Sequence, residues 1–201
     1  MNILLAIIIG YLLGNINASY ILGKVFKGID IREKGTSNPG ASNAVIVMGW
    51  KFGVVTFFID ALKAALAMWI VKYITNDNTD LAVLAGVMAM VGHIYPIFMR
   101  FKGGKGIASI LGIMLGLNGF IALVLYLTIV FGTVITNYLT VGEFLILILF
   151  PIATYLLGYS YFVVILLAVA CLLSAYKLRE NFRNTLKGIE KKLSSVLFKK
   201  K

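Results

Sequence analysis

Residues 107–136 form an almost uninterrupted apolar run, and the length of this run restricts how the chain can fold. As a single helix the run would be about 45 Å long, whereas the hydrocarbon core of a bilayer is about 30 Å thick. The sequence Gly116-Leu117-Asn118-Gly119 near its centre is typical of a break in a helix. We therefore predict two shorter membrane spans here, over 107–117 and 119–136.

Five further apolar runs and a low content of charge indicate that the whole chain is a membrane protein. The chain is 60% hydrophobic and 13% charged, whereas about 25% of the residues in a soluble domain are charged. Transmembrane strands alternate apolar and polar residues, and these runs do not alternate. We predict an all-α, polytopic integral membrane protein with seven transmembrane helices, folded as a single domain over 1–201. The other spans are predicted at about 3–22, 52–74, 81–99, 139–157 and 159–176.

The basic residues predict the orientation of these spans. Almost all of the 19 Lys and Arg residues fall after the first run, after the third run, or in a basic tail over 177–201. Seven spans place all three clusters on one side of the membrane, whereas six would place the tail opposite the other two. The positive-inside rule therefore favours seven spans, with the N-terminus outside and the C-terminus in the cytoplasm. The same placement explains the net charge of +11 without nucleic acid as a partner.

The first cytoplasmic segment contains nine consecutive small or polar residues, Gly35-Thr36-Ser37-Asn38-Pro39-Gly40-Ala41-Ser42-Asn43. Hydroxyls, amides and glycine N–H groups are the donors that a phosphate-binding turn uses. The alternative is a solvated loop between two helices. Because glycine-rich or charged segments recur on the same face of the membrane, we favour phosphate binding. The candidate ligand-binding residues here are Thr36, Ser37, Asn38, Gly40, Ser42 and Asn43.

A second candidate is Phe101-Lys102-Gly103-Gly104-Lys105-Gly106, which lies between two apolar runs. Lysine is costly inside a bilayer, and glycine lets the backbone N–H groups approach a ligand closely. We interpret the segment as an anion pocket, the alternative being a basic loop. Lys105 is the strongest candidate because it precedes the N-terminus of a helix, which attracts anions. Lys102, Gly103 and Gly104 are predicted to contribute. The P-loop pattern is absent, so nothing here indicates ATP.

Three further polar residues lie within or at the ends of the apolar runs. His93, the only histidine, is either a general base or, as we favour, a hydrogen-bonded structural residue. Asp60 and Lys63 lie on one face of a helix at i,i+3, either as functional charges or, as we favour, as a neutralising pair that fixes helix packing. One histidine, one cysteine and no cluster of carboxylates predict neither a metal site nor a cofactor.

The stretch Arg179-Glu180-Asn181-Phe182-Arg183 directly follows the last apolar run. Its composition suits an interfacial helix that is attracted to anionic lipid headgroups. That interpretation is strongest for the end of the tail. It is weaker for Arg179 to Asn181, which adjoin the last span and are candidates for the site.

These segments resemble, in order and spacing, the motifs of the bacterial acyl-phosphate:glycerol-3-phosphate acyltransferase family, over nearly the whole chain. The first motif is similar to Tyr11-Leu12-Leu13-Gly14 followed by Gly35–Asn43. The second, which is the most specific, is similar to Gly92-His93-x-Tyr95-Pro96-x-Phe98 through Phe101–Gly106 and Ala108. The third is similar to Arg179-Glu180-Asn181 with Gly188 and Glu190, and Phe57–Lys63 fits as well.

The resemblance implies an enzyme that moves a fatty acyl group from acyl phosphate to the 1-hydroxyl of glycerol 3-phosphate. The products are lysophosphatidic acid and phosphate, at the first committed step of phospholipid synthesis. The enzyme is expected in the inner membrane of a bacterium, among membrane lipids, with its active site facing the cytoplasm. Lys105 would hold phosphate and stabilise the developing oxyanion, and the proton would go to a substrate phosphate or to His93. Thr140, Arg179 and Asn181 are implied as substrate-binding residues.

The chain departs from the family pattern at several positions. Ile46 stands where an arginine is usual, Leu178 where a histidine is usual, and Glu143 where a serine is expected after Thr140. Arg183 and Asn184 are exchanged, whereas Thr36 and Ser42 keep the expected hydroxyls. Uncompensated losses of this kind weaken phosphate binding by several kcal/mol. Two alternatives therefore stay open: a divergent, non-catalytic relative that binds lipid, and a small transporter of organic phosphates, for which no internal repeat is seen.

Overall fold

The computed structural model describes residues 2–197 and divides them into two compact units, one ending at Leu117 and the other beginning at Asn118. Every regular element in this range is helical. The first unit contains α1 (Asn2–Gly14), α2 (Ala18–Lys27), α3 (Ala41–Met48), α4 (Trp50–Ile74), α5 (Thr79–Ile94) and α6 (Ile107–Leu117), with 3-10 turns at Ile31–Glu33 and Ile97–Met99. The second unit contains α7 (Gly119–Thr136), α8 (Leu139–Leu156), α9 (Tyr161–Leu186) and α10 (Leu193–Leu197).

Within residues 2–197, six helical stretches are long and apolar enough to cross a membrane. They are Asn2–Lys27, Trp50–Ile74, Thr79–Met99, Gly119–Thr136, Leu139–Leu156 and Tyr161–Leu186. The remaining apolar helix, α6, has only 11 residues. It is therefore about 16 Å long, roughly half the thickness of the hydrocarbon core.

The long apolar run divides at Asn118, where the predicted break lies. The side chain of Asn118 accepts hydrogen bonds from the N–H groups of Phe120 and Ile121, so it caps the first turn of α7. The helix bounds of α6 and α7 coincide with the two predicted segments.

The first apolar run is a candidate span, as predicted, but its helix is interrupted. Its helix ends at Gly14, and a new one begins at Ala18 with Asn17 as N-cap, whose side chain accepts from the N–H of Tyr20. The two asparagines, Asn15 and Asn17, provide the polar atoms that a break inside an apolar stretch requires. Three consecutive residues, Asn15 to Asn17, therefore present backbone and side-chain groups to the rest of the first unit.

Small residues let the helices of the first unit pack closely. A Cβ added to Gly10 or Gly14 of α1 would overlap the carbonyl oxygens of Ala85 and Ala89 in α5. A Cβ at Gly112 of α6 would likewise overlap the carbonyl of Ala61 in α4. Close backbone approach of this kind is typical of helix packing in membranes, where apolar surface alone gives no drive to associate.

In the second unit α8 packs against both α7 and α9. The rings of Phe144 and Phe182 lie 4.5 Å apart, which places the N-terminal part of α8 beside the last turns of α9. Whereas we predicted that the last span ends near residue 176, α9 continues as one helix to Leu186, because Lys, Arg and Glu are good helix formers. The predicted tail over 177–201 is thus helical at its start, and its final residues, 198–201, lie outside the described range.

Candidate active site

The two loops singled out in the sequence line one cleft in the first unit. The cleft has a volume of about 400 Å³. Its lining residues are Asp30, Arg32, Glu33, Ser37, Pro39, Lys102 and Gly103. Of the predicted residues, the cleft therefore brings together Ser37 from the first loop with Lys102 and Gly103 from the second. The lining thus holds two cations, Arg32 and Lys102, and two carboxylates, Asp30 and Glu33. The cations and the Ser37 hydroxyl are the groups that suit an anion.

The first loop is shaped by Asn43, which is fully buried at the start of α3. Its side-chain oxygen accepts from the Thr36 N–H at 2.8 Å, and its Nδ2 donates to the carbonyls of Ile31 and Lys34 at 3.1 and 3.0 Å. Gly35 has φ +61°, and a Cβ there would overlap Asn43 Oδ1. Asn43 was predicted to bind a ligand directly, but its polar atoms are engaged inside the loop.

The helix break at Asn15–Asn17 is hydrogen-bonded to the first loop and to the turn before the second loop. Asn17 Nδ2 donates to the Pro39 carbonyl at 3.1 Å, and Asn15 Oδ1 accepts from the Ile97 N–H at 2.7 Å. Asn17 is therefore bound to the first loop, and Asn15 to the turn that begins the second. Both asparagines are buried, so these hydrogen bonds are shielded from water.

Arg32 joins the two loops directly. It forms two hydrogen bonds with the carboxylate of Asp30, at 3.0 and 2.7 Å, and donates from Nη1 to the carbonyl of Met99 at 2.9 Å. Its guanidinium also lies 5.0 Å from the centre of the Tyr20 ring. The hydrogen bond from Arg32 lowers the pKa of the Asp30 carboxyl below its ordinary value of 3.8. We call Asp30, Arg32 and Met99 the loop latch.

The glycines of the second loop approach the end of α5. Gly103 N–H donates to the Ile94 carbonyl and Gly104 N–H to the His93 carbonyl, both at 3.1 Å. A Cβ at Gly103 would overlap the His93 carbonyl, and a Cβ at Gly104 would overlap His93 Nε2. We expected these N–H groups to face a ligand; they bind the C-terminal carbonyls of α5. α5 ends here because the residue before Pro96 disfavours helical geometry.

Lys105 follows these glycines and lies two residues before the start of α6. It is half-buried, between the buried residues Gly104 and Gly106. The carbonyl of Gly106 accepts from Ile110 N–H, the first hydrogen bond of the new helix. Lys105 is thus carried by a segment whose backbone is fixed on one side by α5 and on the other by α6.

A buried ionic cluster lies behind the second loop. Asp60, Lys63 and His93 are 1%, 5% and 3% exposed. Lys63 Nζ is 2.8 Å from Asp60 Oδ1, 3.0 Å from His93 Nδ1 and 2.6 Å from the carbonyl of Ile16. The predicted ion pair between Asp60 and Lys63 forms, and the contacts with His93 and Ile16 extend it to two other elements. We call Asp60, Lys63 and His93 the buried ionic cluster.

Four other predicted residues of the first loop are neighbours in sequence of the lining residues Ser37 and Pro39 but do not line the cleft themselves: Thr36, Asn38, Gly40 and Ser42. Thr36 and Ser42 are exposed, Asn38 is half-buried and Gly40 is buried. The Gly40 N–H donates to the Asn38 carbonyl at 2.9 Å, so the two residues form a tight turn before α3.

Thr140, Arg179 and Asn181 lie in the second unit. Thr140 is buried near the start of α8. Arg179 lies on α9 with its guanidinium 4.0 Å from the centre of the Tyr176 ring, and it donates to the Tyr176 carbonyl at 2.7 Å. Asn181 Nδ2 donates to Glu190 Oε1 at 2.9 Å, which links α9 to the chain that follows it.

The sequence reasoning missed Asp30, Arg32, Asn15 and Asn17. A signal for the asparagines was available, since two amides within three residues are unusual inside an apolar run. Arg32 was counted only as part of a basic cluster, because its acceptor at Met99 is a main-chain oxygen 67 residues away. Among residues 2–197, no group of three or more His, Cys, Asp and Glu side chains is placed to hold a metal ion.

Both the sequence and the structure are similar to characterised proteins. The family model described as "Glycerol-3-phosphate acyltransferase" matches residues 4–188. Glycerol-3-phosphate acyltransferase 1 of Oceanobacillus iheyensis is 38% identical, over 100% of this chain and 99% of its own length. Glycerol-3-phosphate acyltransferase 2 of Thermotoga maritima is 36% identical, over 96% of each chain.

Two solved structures have the same fold over nearly the whole chain. The crystal structure of PlsY (YgiH), an integral membrane glycerol 3-phosphate acyltransferase, in its glycerol 3-phosphate form has a TM-score of 0.91 at 31% identity. Its lysophosphatidic acid form has a TM-score of 0.89 at 30% identity. Each comparison covers 98% of this chain and 100% of the other.

Proposed function

The chain belongs to the glycerol-3-phosphate acyltransferase family, and from this membership we propose its reaction: transfer of a fatty acyl group to glycerol 3-phosphate in phospholipid synthesis. The family model covers residues 4–188, which is nearly the whole chain. The two forms in which the similar enzyme was solved, with glycerol 3-phosphate and with lysophosphatidic acid, correspond to the acceptor and the product of this reaction. The product here is therefore lysophosphatidic acid.

The acyl donor is acyl phosphate and the acceptor atom is the 1-hydroxyl of glycerol 3-phosphate. The hydroxyl oxygen attacks the acyl carbon, the bond between that carbon and the phosphate oxygen breaks, and inorganic phosphate leaves. An acyl phosphate is already activated, so the protein need not provide a nucleophile. What the reaction requires is alignment of two anionic substrates and stabilisation of the developing charge. The cleft provides two cations for this purpose, Arg32 and Lys102, beside two carboxylates, Asp30 and Glu33, of which Asp30 is paired with Arg32.

The observation that carries the proposal is the cleft itself, in which Arg32, Ser37 and Lys102 come together from two loops. Lys102 and Ser37 bind phosphate, and Lys105 holds phosphate and stabilises the oxyanion. Thr36, Asn38 and Ser42 contribute hydroxyl and amide donors at the edge of the first loop. Gly40, Asn43, Gly103 and Gly104 act by shaping the two loops. The hydroxyl proton passes to a substrate phosphate.

From the resemblance of their motifs, Thr140, Arg179 and Asn181 are also substrate-binding residues, and the chain over 1–201 serves this one activity as a single domain. The chain crosses the inner membrane of a bacterium seven times, with the N-terminus outside and the active site facing the cytoplasm. The clustering of Lys and Arg supports this orientation. The short helix α6 counts as a crossing in this arrangement, together with the irregular segment before it.

The departures at Ile46, Glu143 and Leu178 do not change the proposed reaction. Leu178 is buried in α9, so its side chain serves packing, and Ile46 is half-buried in α3. A non-catalytic relative that binds lipid would retain the fold without the activity, and the assay below separates the two. Membership of an acyltransferase family does not favour a transporter of organic phosphates.

The test is acyl transfer by the purified full chain in lipid nanodiscs. Supplied with an acyl phosphate and labelled glycerol 3-phosphate, the protein should release labelled lysophosphatidic acid, whereas an acyl thioester should give none. Lys105→Ala should lower kcat/KM by about 100-fold or more, the usual loss for a group that stabilises an oxyanion. Lys34→Ala, which removes an exposed lysine of the first loop, is the matched control.

Each element of the proposal has its own contradicting result. Product formed from an acyl thioester but not from acyl phosphate would reject the donor. Undiminished turnover by Lys105→Ala would remove that lysine from the mechanism. No lysophosphatidic acid from any donor, in a preparation with an intact helical spectrum, would favour the non-catalytic relative.

A further inference from the structure

The ammonium of Lys63 is the centre of the buried ionic cluster. Its three hydrogen bonds, to Ile16 O, Asp60 Oδ1 and His93 Nδ1, use all three hydrogens of a protonated amine. A buried ammonium is costly unless it is paired and fully hydrogen-bonded, and here the carboxylate of Asp60 provides the opposite charge. Lys63 is therefore held in one position by contacts with three separate parts of the first unit.

The tautomer of His93 follows from this arrangement when Lys63 is the ammonium that balances Asp60. An ammonium can only donate, so Nδ1 of His93 must accept with its lone pair. The ring proton of a neutral imidazole then lies on Nε2. Asp60 Oδ1 is 3.4 Å from the same Nδ1, and it accepts from Lys63 at a shorter distance. Lys63 thus sets both the orientation of the ring and the position of its proton.

The Nε2 edge of that ring faces the second loop. The Cα of Gly104 lies so close that a Cβ on it would overlap Nε2. Two main-chain hydrogen bonds, from Gly103 and Gly104 to the end of α5, hold the loop against the ring. Any rotation of the imidazole would displace this segment, which carries Lys102 on one side and Lys105 on the other.

The same ammonium is connected indirectly to the first loop, because it binds the helix break from which Asn17 donates to Pro39. Its bond to the Ile16 carbonyl fixes the residue between Asn15 and Asn17, which hold the Ile97 turn and Pro39. One buried charge therefore connects to both walls of the cleft. The bonds to Ile16 and His93 satisfy the two remaining hydrogens of the ammonium and at the same time connect it to two other parts of the first unit.

We propose that Lys63 is a positioning residue for acyl transfer: acting through His93, it fixes the glycine segment that presents Lys102 and Lys105. His93 acts as a hydrogen-bond acceptor for Lys63 and as a support for Gly104. It does not take the proton of the acceptor hydroxyl. The effect on acyl transfer rests on the proposed function, whereas the tautomer of the His93 imidazole can be measured without substrate.

The first experiment reads the tautomer directly. His93 is the only histidine, so selective 15N labelling of histidine in the full chain in nanodiscs yields the signals of one ring. We expect Nδ1 to be unprotonated and Nε2 to carry hydrogen. Lys63→Met should change this pattern, whereas Lys72→Met on the same helix should not. A proton on Nδ1 in the unmodified protein would overturn the proposal, whatever the activity.

The second experiment separates positioning from proton transfer. His93→Asn places an acceptor where Nδ1 lies, and His93→Gln places its amide near the position of Nε2. Asn cannot take a proton and lacks the ring atoms beside Gly104, yet it can accept from Lys63, so His93→Asn should keep more of the kcat than His93→Gln does. His93→Gln should lose about 100-fold, as expected when reacting groups are misplaced. Equal large losses in both variants, or retention by Gln alone, would contradict the proposal.

The two experiments also separate this inference from the proposed function. If no donor yields lysophosphatidic acid, the proposed reaction is wrong, whereas the 15N signals of His93 still show which ring nitrogen carries the proton. If acyl transfer is present and His93→Asn is as inactive as His93→Gln, the reaction stands and the positioning role fails. Asp60→Asn combined with Lys63→Met removes both buried charges. It serves as the variant for measurement if Lys63→Met alone does not fold.

Discussion

At the scale of single residues, side chains that take no part in the proposed reaction determine the shape of the cleft. Asn43 uses both amide hydrogens and its carbonyl oxygen inside one loop. The sequence predicted that Asn43 belongs to the site, because amides and hydroxyls recur there. It could not predict that the amide faces inward, since the partners are main-chain atoms at positions 31, 34 and 36, and any residue type supplies them.

We predict that Asn43→Asp destabilises the protein more than Asn43→Ala does. Alanine leaves one N–H and two carbonyls without their partner, at a cost of about 1–3 kcal/mol. Aspartate keeps the acceptor for Thr36 N–H but turns a carboxylate oxygen toward the carbonyls of Ile31 and Lys34, and it buries a charge. Thermal unfolding in detergent measures the difference, and Ser42→Ala, at an exposed neighbour, should have little effect. Equal stability of the two Asn43 variants would contradict the inward role.

At the scale of elements, the apolar runs predicted most of the helices, and the failures have physical causes. The 107–136 run had to break because it is too long for one crossing. The first run is short enough to cross unbroken, so its division at Asn15–Asn17 was not required by length. α9 continues past residue 176 because charged residues extend a helix as readily as apolar ones, although they end its apolar stretch. The cleft depends on the unpredicted break, since it holds both loops.

The loop latch predicts a pH dependence of stability. Because Arg32 lowers the pKa of Asp30, the ionised pair contributes at neutral pH, and the contribution disappears as pH falls through that lowered pKa. The Asp30 side chain is 11% exposed and Arg32 24%, so solvent limits the contribution to about 1 kcal/mol. Asp30→Asn should therefore lower the Tm at pH 7, and the difference from the unmodified protein should shrink below about pH 4.

Glu33→Gln is the matched control for the latch, because it removes the same charge from an exposed position on the same turn. It should leave the Tm at pH 7 nearly unchanged. A deficit of Asp30→Asn that does not decrease at all as the pH is lowered stepwise below 4 would show that the loss comes from packing and not from the ion pair.

At the scale of the whole molecule, the number of crossings depends on α6. Eleven residues reach about halfway through the hydrocarbon core, so α6 completes a crossing only with the irregular chain that precedes it. Non-helical backbone at that depth must be shielded by protein or border water. The hydrogen bonds of Gly103 and Gly104 to the end of α5 provide part of that shielding. The basic clusters and the 107–136 run predicted seven crossings. The described residues hold six helices long enough to cross, so the seventh crossing stays a prediction that depends on α6.

Labelling of single cysteines from outside the cell tests the seven-span topology. In a background with Cys171→Ser, Gly119→Cys should react with an impermeant thiol reagent, and Lys187→Cys should react only after the membrane is opened. A Cβ at Gly119 meets no atom within 4 Å, so the substitution is tolerated, and Lys187 is exposed. If α6 does not cross, every later segment changes sides and both results are reversed.

The bond from Lys63 to residue 16 ends on a main-chain oxygen, and this has an evolutionary consequence. The identity of the side chain at that position is free to drift, because any amino acid offers the same carbonyl. What the bond requires is that the chain stays interrupted there and that the amine reaches the carbonyl. A site held by main-chain atoms can therefore keep its geometry when its side chains change, so a divergent member of such a family is better compared by its structure than by its sequence motifs.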